Sequence, residues 1–220
     1  MIIVAVDEID FKKATSLIDN LDPKKCLVKI GSVSFNSIGH EIISYTAKKG
    51  FDIFLDLKLH DIPHTVEKTI KGLSVLPIKI LTIHTSGGKD MMIAAMKAAY
   101  GTGIKIFGVT TLTSLSDNDT DIIFQRSASE QVSAMLDLAE IAGIDGVVCS
   151  PHELELVKNR DSLLSITPGI RLKDSKDDQK RVMTPKKAID LGADYLVIGR
   201  PITTSDDIKK SLNDIYESIQ

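Results

Sequence analysis

Short apolar runs alternate with longer, mixed segments along the whole chain. The runs are Ile2–Val6, Cys26–Ile30, Asp52–Leu57, Ile80–His84, Ile104–Val109, Gly146–Cys149, Leu164–Thr167 and Tyr195–Ile198, eight in all. They have the length of buried strands. Between them, apolar positions recur at helical spacing over Phe11–Leu21, Phe35–Lys49, Thr65–Val75, Met91–Tyr100, Ser129–Ala142, Pro151–Val157, Pro185–Leu191 and Asp206–Ile219. Ser150-Pro151 and Thr184-Pro185 offer a cap followed by a proline suited to a first helical turn. Gly50, Gly101, Gly143 and Gly192 stand where a left-handed residue closes a helix.

Strands alternating with helices predict parallel pairing with helical crossovers. Eight such units closing on themselves make an α/β fold of the (β/α)8 or TIM barrel type, here as a single domain over residues 1–220. An open doubly wound sheet is the competing arrangement, and it expects a glycine-rich turn after the first strand. That turn reads Asp7-Glu8-Ile9-Asp10, without glycine, so the barrel is preferred. No repeat, low-complexity tract or linker divides the chain. The longest polar stretch, Arg171–Arg181, lies between the last two strands and reads as a lid.

Composition leaves this picture intact. A chain of 220 residues suits one barrel, and 43% apolar residues with a net charge of −3 fit a soluble globular protein. Neither sign of charge dominates, so no nucleic-acid or membrane surface is expected. No apolar run approaches the roughly 18 residues of a membrane span. Ile2–Val6 reads as a first strand rather than a signal peptide, and a cytoplasmic location is expected. Cys26 and Cys149 border apolar runs and form no C-x-x-C pair; buried thiols in a reducing cytosol are expected.

In such barrels the chemistry lies at the C-terminal ends of the strands. Those ends carry Asp7, Lys29, Asp56 with Lys58, His84, Thr110 to Thr113, Ser150, Pro168-Gly169 and Gly199-Arg200, a set more polar than the runs they close. Phe54-Leu55-Asp56-Leu57-Lys58-Leu59-His60-Asp61-Ile62-Pro63 is the most pointed stretch. Residues two apart on a strand share a face, so Asp56 and Lys58 point the same way. Buried charges are costly unless paired. A lone Lys29 would read as a snorkelling side chain; beside two carboxylates and a second lysine it reads as functional. The turns Pro168-Gly169-Ile170-Arg171 and Gly199-Arg200-Pro201 follow the seventh and eighth strands, where barrels commonly bind phosphate. Glycine allows close backbone approach and arginine offers a fork for phosphate oxygens. Pro63 starts a helix that leaves His60 outside, so His60 and His64 are not read as metal ligands.

These residues give the chain a resemblance to the orotidine 5′-phosphate decarboxylase family over essentially its full length. The matching segments are Val4-Ala5-Val6-Asp7, Val28-Lys29-Ile30-Gly31, Asp56-Leu57-Lys58-Leu59-His60-Asp61-Ile62-Pro63-His64-Thr65, Val109 to Ser114, Thr167 to Arg171, Asp178 to Arg181 and Ile198 to Ile202. The resemblance implies decarboxylation of orotidine 5′-phosphate to UMP and CO2, the last step of de novo UMP synthesis, without metal or cofactor. It implies Lys58 as proton donor, Asp56 beside the departing carboxylate, and Lys29 and Asp61 completing a charged array. It implies a homodimer in which Asp61 and Thr65 serve the neighbour's site. Asp7 would bind ribose hydroxyls and Thr113 the pyrimidine edge. Gln179, Gly199 and Arg200 would hold the phosphate, with Arg171 nearby.

Two other functions compete. A magnesium-dependent sugar-phosphate enzyme of the same superfamily would place a carboxylate where this chain has Lys29. A catalytically silent nucleotide-binding barrel would have no use for the charged array.

Overall fold

The computed structural model describes residues 1–171 and 183–220. Gln179, and all of the expected lid except Arg171, lie outside the described residues. Among the described residues, eight strands pair in parallel and in chain order, and the last closes on the first. They are β1 (Ile2–Val6), β2 (Cys26–Gly31), β3 (Ile53–Leu59), β4 (Ile80–His84), β5 (Lys105–Val109), β6 (Gly146–Val148), β7 (Leu164–Thr167) and β8 (Tyr195–Ile198). The helices are α1 (Phe11–Ile18), α2 (Ser32–Ile38), α3 (His40–Lys48), α4 (Pro63–Leu73), α5 (Gly88–Ala99), α6 (Asp117–Phe124), α7 (Ala128–Ala142), α8 (Leu154–Lys158), α9 (Pro185–Asp190), α10 (Arg200–Thr203) and α11 (Ile208–Ser218). The architecture is the (β/α)8 barrel.

The strands are apolar on both faces because both are covered. Side chains alternate between the two walls. Ile3, Ala5, Leu27, Phe54, Ile80, Phe107, Ile166 and Val197 fill the barrel interior. Ile2, Val4, Val28, Ile30, Leu55, Leu81 and Ile83 face the helices. Each such side chain, once buried, stabilises the fold by about 1.5–3 kcal/mol. Phe107 meets Tyr195 edge-on, with ring centroids 6.2 Å apart. Gly146 makes room for this packing: a Cβ there would lie 2.4 Å from the Leu164 carbonyl oxygen and 2.5 Å from the Phe107 ring. Both cysteines are buried thiols.

Three helical segments differ from expectation, the shortest being α10 (Arg200–Thr203), a short helix after β8 that no periodic stretch announces. The single helix expected over Phe35–Lys49 is divided into α2 and α3 by Gly39, whose φ of 80° takes the backbone out of the right-handed helix. Helix α6 was not expected, because Asp-Asn-Asp-Thr-Asp-Ile-Ile-Phe has no apolar stripe and Thr120 is its buried residue. Its start is fixed instead by a capping box, in which Ser116 and Asp119 bond each other's backbone N–H.

Two fastenings hold rim loops in place. The fully buried Ser34 of α2 accepts the Glu8 N–H at 2.9 Å, and its hydroxyl lies 3.0 Å from the Val6 carbonyl and 2.7 Å from that of Glu8. This pins the turn that carries Asp7. At the end of β7, Met183 donates to the Gly169 carbonyl (3.2 Å) and Arg171 donates to the Met183 carbonyl (2.9 Å). Gly169, at φ 79°, supplies the turn.

Candidate active site

The inner-wall alternation continues past the apolar layers and turns polar. Asp7 follows Ile3 and Ala5; Lys29 follows Leu27; Asp56 and Lys58 follow Phe54; Thr82 and His84 follow Ile80. The same period of two that packs the core therefore gathers these groups at one end of the barrel.

Their charges alternate in space. Lys58 Nζ lies 2.8 Å from both carboxylate oxygens of Asp56. Lys29 Nζ is 3.6 Å from Asp56 Oδ2 and 3.2 Å from Asp7 Oδ1. The Asp56 side chain is only 11% exposed. Burial by itself would raise its pKa. The Lys29 and Lys58 charges, with hydrogen bonds from Lys58 and Thr82, outweigh burial and hold it below the ordinary carboxylate value.

The β3 backbone is irregular at this point. Leu55 pairs with Leu81 and Leu59 with Ile83, so β3 spends four residues where β4 spends two. Within this bulge Lys58 has φ 51°, a left-handed conformation that costs an ordinary residue about 1–2 kcal/mol. Backbone outliers of this kind cluster at active sites and ligand clamps. Two residues are added by the bulge, an even number, so Asp56 and Lys58 stay on the same wall. The Lys58 N–H donates to Thr82 Oγ1 at 2.9 Å, and the Thr82 hydroxyl donates to Asp56 Oδ1 at 2.9 Å.

A cavity of about 470 Å³ opens beside the charges, with Asp7, Lys29, Asp56, Arg171, Gly199 and Arg200 in its lining. It joins the charged array to the turns after β7 and β8. Arg171 is buried, and its guanidinium donates to the Ile170 carbonyl at 3.0 Å. Arg200 is exposed at the start of α10. Thr113 is half-buried in the loop after β5.

Asp61 and Thr65 stand apart. Both are exposed, as is all of Asp61–Thr65. The Asp61 carboxylate accepts the Ile62 N–H at 2.7 Å and forms an ion pair with neither Lys29 nor Lys58. Helix α4 begins at Pro63, which leaves His60 outside it. His60 stacks on His84, ring centroids 5.3 Å apart. Burial lowers the His84 pKa, and the neighbouring His60 and Lys58 add to that against an opposing pull from Asp56.

Sequence reasoning missed Thr82 and Ser34. Thr82 had a readable signal, since it lies on the same alternation as Ile80 and His84 in an otherwise apolar strand. Ser34 had none, because its role depends on a contact between two loops distant in sequence. Among the described residues, no group of three or more histidine, cysteine, aspartate or glutamate side chains could hold a metal ion.

Comparison with known proteins matches residues 1–215 to the model of the Orotidine 5'-phosphate decarboxylase / HUMPS family. The chain is 45% identical over 225 residues to the orotidine 5'-phosphate decarboxylase of Shewanella sediminis, covering 99% of this chain and 96% of that protein. It is 45% identical over 221 residues to that of Ehrlichia canis, covering 99% and 97%. The crystal structure of orotidine 5'-phosphate decarboxylase from Lactobacillus acidophilus superposes with a TM-score of 0.88 at 34% identity, covering 100% of this chain and 98% of that one.

Proposed function

The chain belongs to the orotidine 5′-phosphate decarboxylase / HUMPS family, and we propose that it converts orotidine 5′-phosphate to UMP and CO2 without metal or organic cofactor. The observation that carries this reading is the Lys58 ammonium held 2.8 Å from Asp56, with Lys29 on the carboxylate's other side at 3.6 Å.

The reaction breaks the bond from pyrimidine C6 to the carboxylate carbon. CO2 leaves, and the electron pair stays on C6, which has no attached electron sink. Fixed charge must stabilise that pair, and a proton must quench it. Lys58 does both: its ammonium lies against the developing carbanion and then transfers a proton to C6, leaving a neutral amine that solvent reprotonates. Asp56 faces the departing carboxylate. Lys29 neutralises Asp56 and Asp7 from the other side, and a lysine at this place supports the nucleotide decarboxylase over the magnesium-dependent sugar-phosphate branch.

Asp7 binds ribose hydroxyls, Thr113 the pyrimidine edge, and Gln179, Gly199 and Arg200 the phosphate, with Arg171 adjoining. The cavity running from the charged array to Arg171, Gly199 and Arg200 supports that orientation. Binding energy from the phosphate, remote from C6, organises the site for the transition state.

The protein works as a homodimer, with Asp61 and Thr65 reaching the partner's site. Supporting this, all of Asp61–Thr65 is exposed, with Ile62 66% exposed, so the segment is open to contact with a second chain. Purified protein should lower the long-wavelength absorbance of orotidine 5′-phosphate, as the carboxylate conjugated to the ring is lost, at a rate that EDTA does not alter; no turnover rejects the assignment. Lys58→Ala and Asp61→Ala proteins, each inactive, should regain activity when mixed, because one of the hybrid's sites is intact. Confirmed heterodimers without activity would reject the shared site.

A further inference from the structure

Thr82 lies in the middle of β4, fully buried, on the inner wall directly above Ile80. A hydroxyl has one proton to give and can accept two. Lys58 N–H, which can only donate, comes to Oγ1 at 2.9 Å, and Asp56 Oδ1 lies 2.9 Å from the same atom. The threonine proton is therefore committed to the carboxylate. Regular pairing between β3 and β4 lapses between Leu55 and Leu59, so Thr82 supplies the acceptor for Lys58 that the ladder does not.

We propose that Thr82 is a positioning residue for the decarboxylation: its hydroxyl ties the Lys58 backbone to the Asp56 carboxylate, so that proton donor and counter-ion are held as one unit. The inference rests on the reaction assigned above. Each carboxylate oxygen of Asp56 has a defined set of partners. Oδ1 takes Lys58 and Thr82, and Oδ2 takes Lys58 and Lys29. With both oxygens engaged, the carboxylate cannot rotate without breaking a contact. Lys58, at φ 51°, is held in a conformation its own residue type disfavours, and the tether to Thr82 opposes its return to an extended strand.

Removing the hydroxyl has two linked effects. The Lys58 N–H loses its acceptor, which frees the bulge to relax and moves Nζ relative to C6. Asp56 loses a hydrogen bond to its charged form, which favours protonation. A threonine that merely satisfied buried polar groups would affect stability, but not the pH dependence of turnover.

Thr82→Val keeps the shape and deletes the hydroxyl; Thr82→Ser keeps the hydroxyl. For Thr82→Val we expect kcat to fall about 10- to 100-fold with KM little changed, the loss that a displacement near 1 Å produces. The acidic limb of the kcat profile should move to higher pH, and Thr82→Ser should restore both the limb and most of kcat. A valine protein with wild-type kcat and an unmoved acidic limb overturns the proposal, whatever its melting temperature. If the valine protein does not fold, Thr82→Cys, a poor hydrogen-bond donor of similar size, is read by the same criteria. NMR titration of the Asp56 carboxyl in ligand-free protein separates this inference from the reaction itself. A raised midpoint in the variant supports the tether even if the wild type turns over no orotidine 5′-phosphate. An unchanged midpoint rejects it.

Discussion

Lys58 combines an ion pair that stabilises it with a backbone conformation that does not, and the two can be separated by substitution. Lys58→Ala and Lys58→Gly both remove the 2.8 Å contact with Asp56, but only glycine adopts φ 51° without strain. Both should lose turnover by about 100-fold or more if Lys58 delivers the proton. In equilibrium denaturation the glycine protein should be the more stable of the two by about 1 kcal/mol. Equal stabilities would mean that the left-handed conformation stores no strain. At this scale the charged residues were legible because ionisable groups at the ends of apolar runs have no bland explanation once four of them share one barrel rim. The left-handed backbone was not legible, since no glycine or asparagine announces it. Thr82 was missed because threonine is an ordinary strand residue; only its buried, inward place makes it unusual.

The strands were easier to read than the helices. Four of them, β1, β4, β7 and β8, match the expected bounds residue for residue, because buried parallel strands are continuous apolar runs between polar turns. The helices depend on features that periodicity does not carry: a left-handed Gly39 that divides one into two, and a capping box that starts α6 on a polar sequence. Gly146 gives the strands a sharp test. Its missing Cβ is the space occupied by a carbonyl oxygen on β7 and by the Phe107 ring, and backbone cannot move aside as a flexible side chain can. Gly146→Ala should destabilise the fold by about 1–3 kcal/mol, seen as a lower urea midpoint. An unchanged midpoint would mean that β6 and β7 separate freely.

Over the whole molecule, acid should act in two stages. The His84 pKa is lowered in the folded protein, so below the ordinary value of about 6.5 the unfolded chain binds more protons and stability falls with pH. The Asp56 pKa is also lowered, so its contribution is complete above the ordinary value of about 3.9 and is lost as pH falls from there through the lower folded value. Urea midpoints measured from about pH 7.5 to 5 should decline, and His84→Gln should flatten that first decline while leaving the second. A decline unchanged in His84→Gln would assign it elsewhere. The closed barrel and its rim were legible as a whole, because eight strand–helix units leave few other arrangements. Asp61 and Thr65, expected to serve a partner's site, are exposed in the single chain. The β3 bulge also limits how this chain can change length. Pairing with β2 through Asp56 and with β4 at Leu55 and Leu59 fixes both ends of the bulge, so an insertion or deletion of one residue between Asp56 and Leu59 would turn the lysine away from the acid's wall. Changes of two residues preserve the assignment. Drift in the length of this segment is thus confined to even steps.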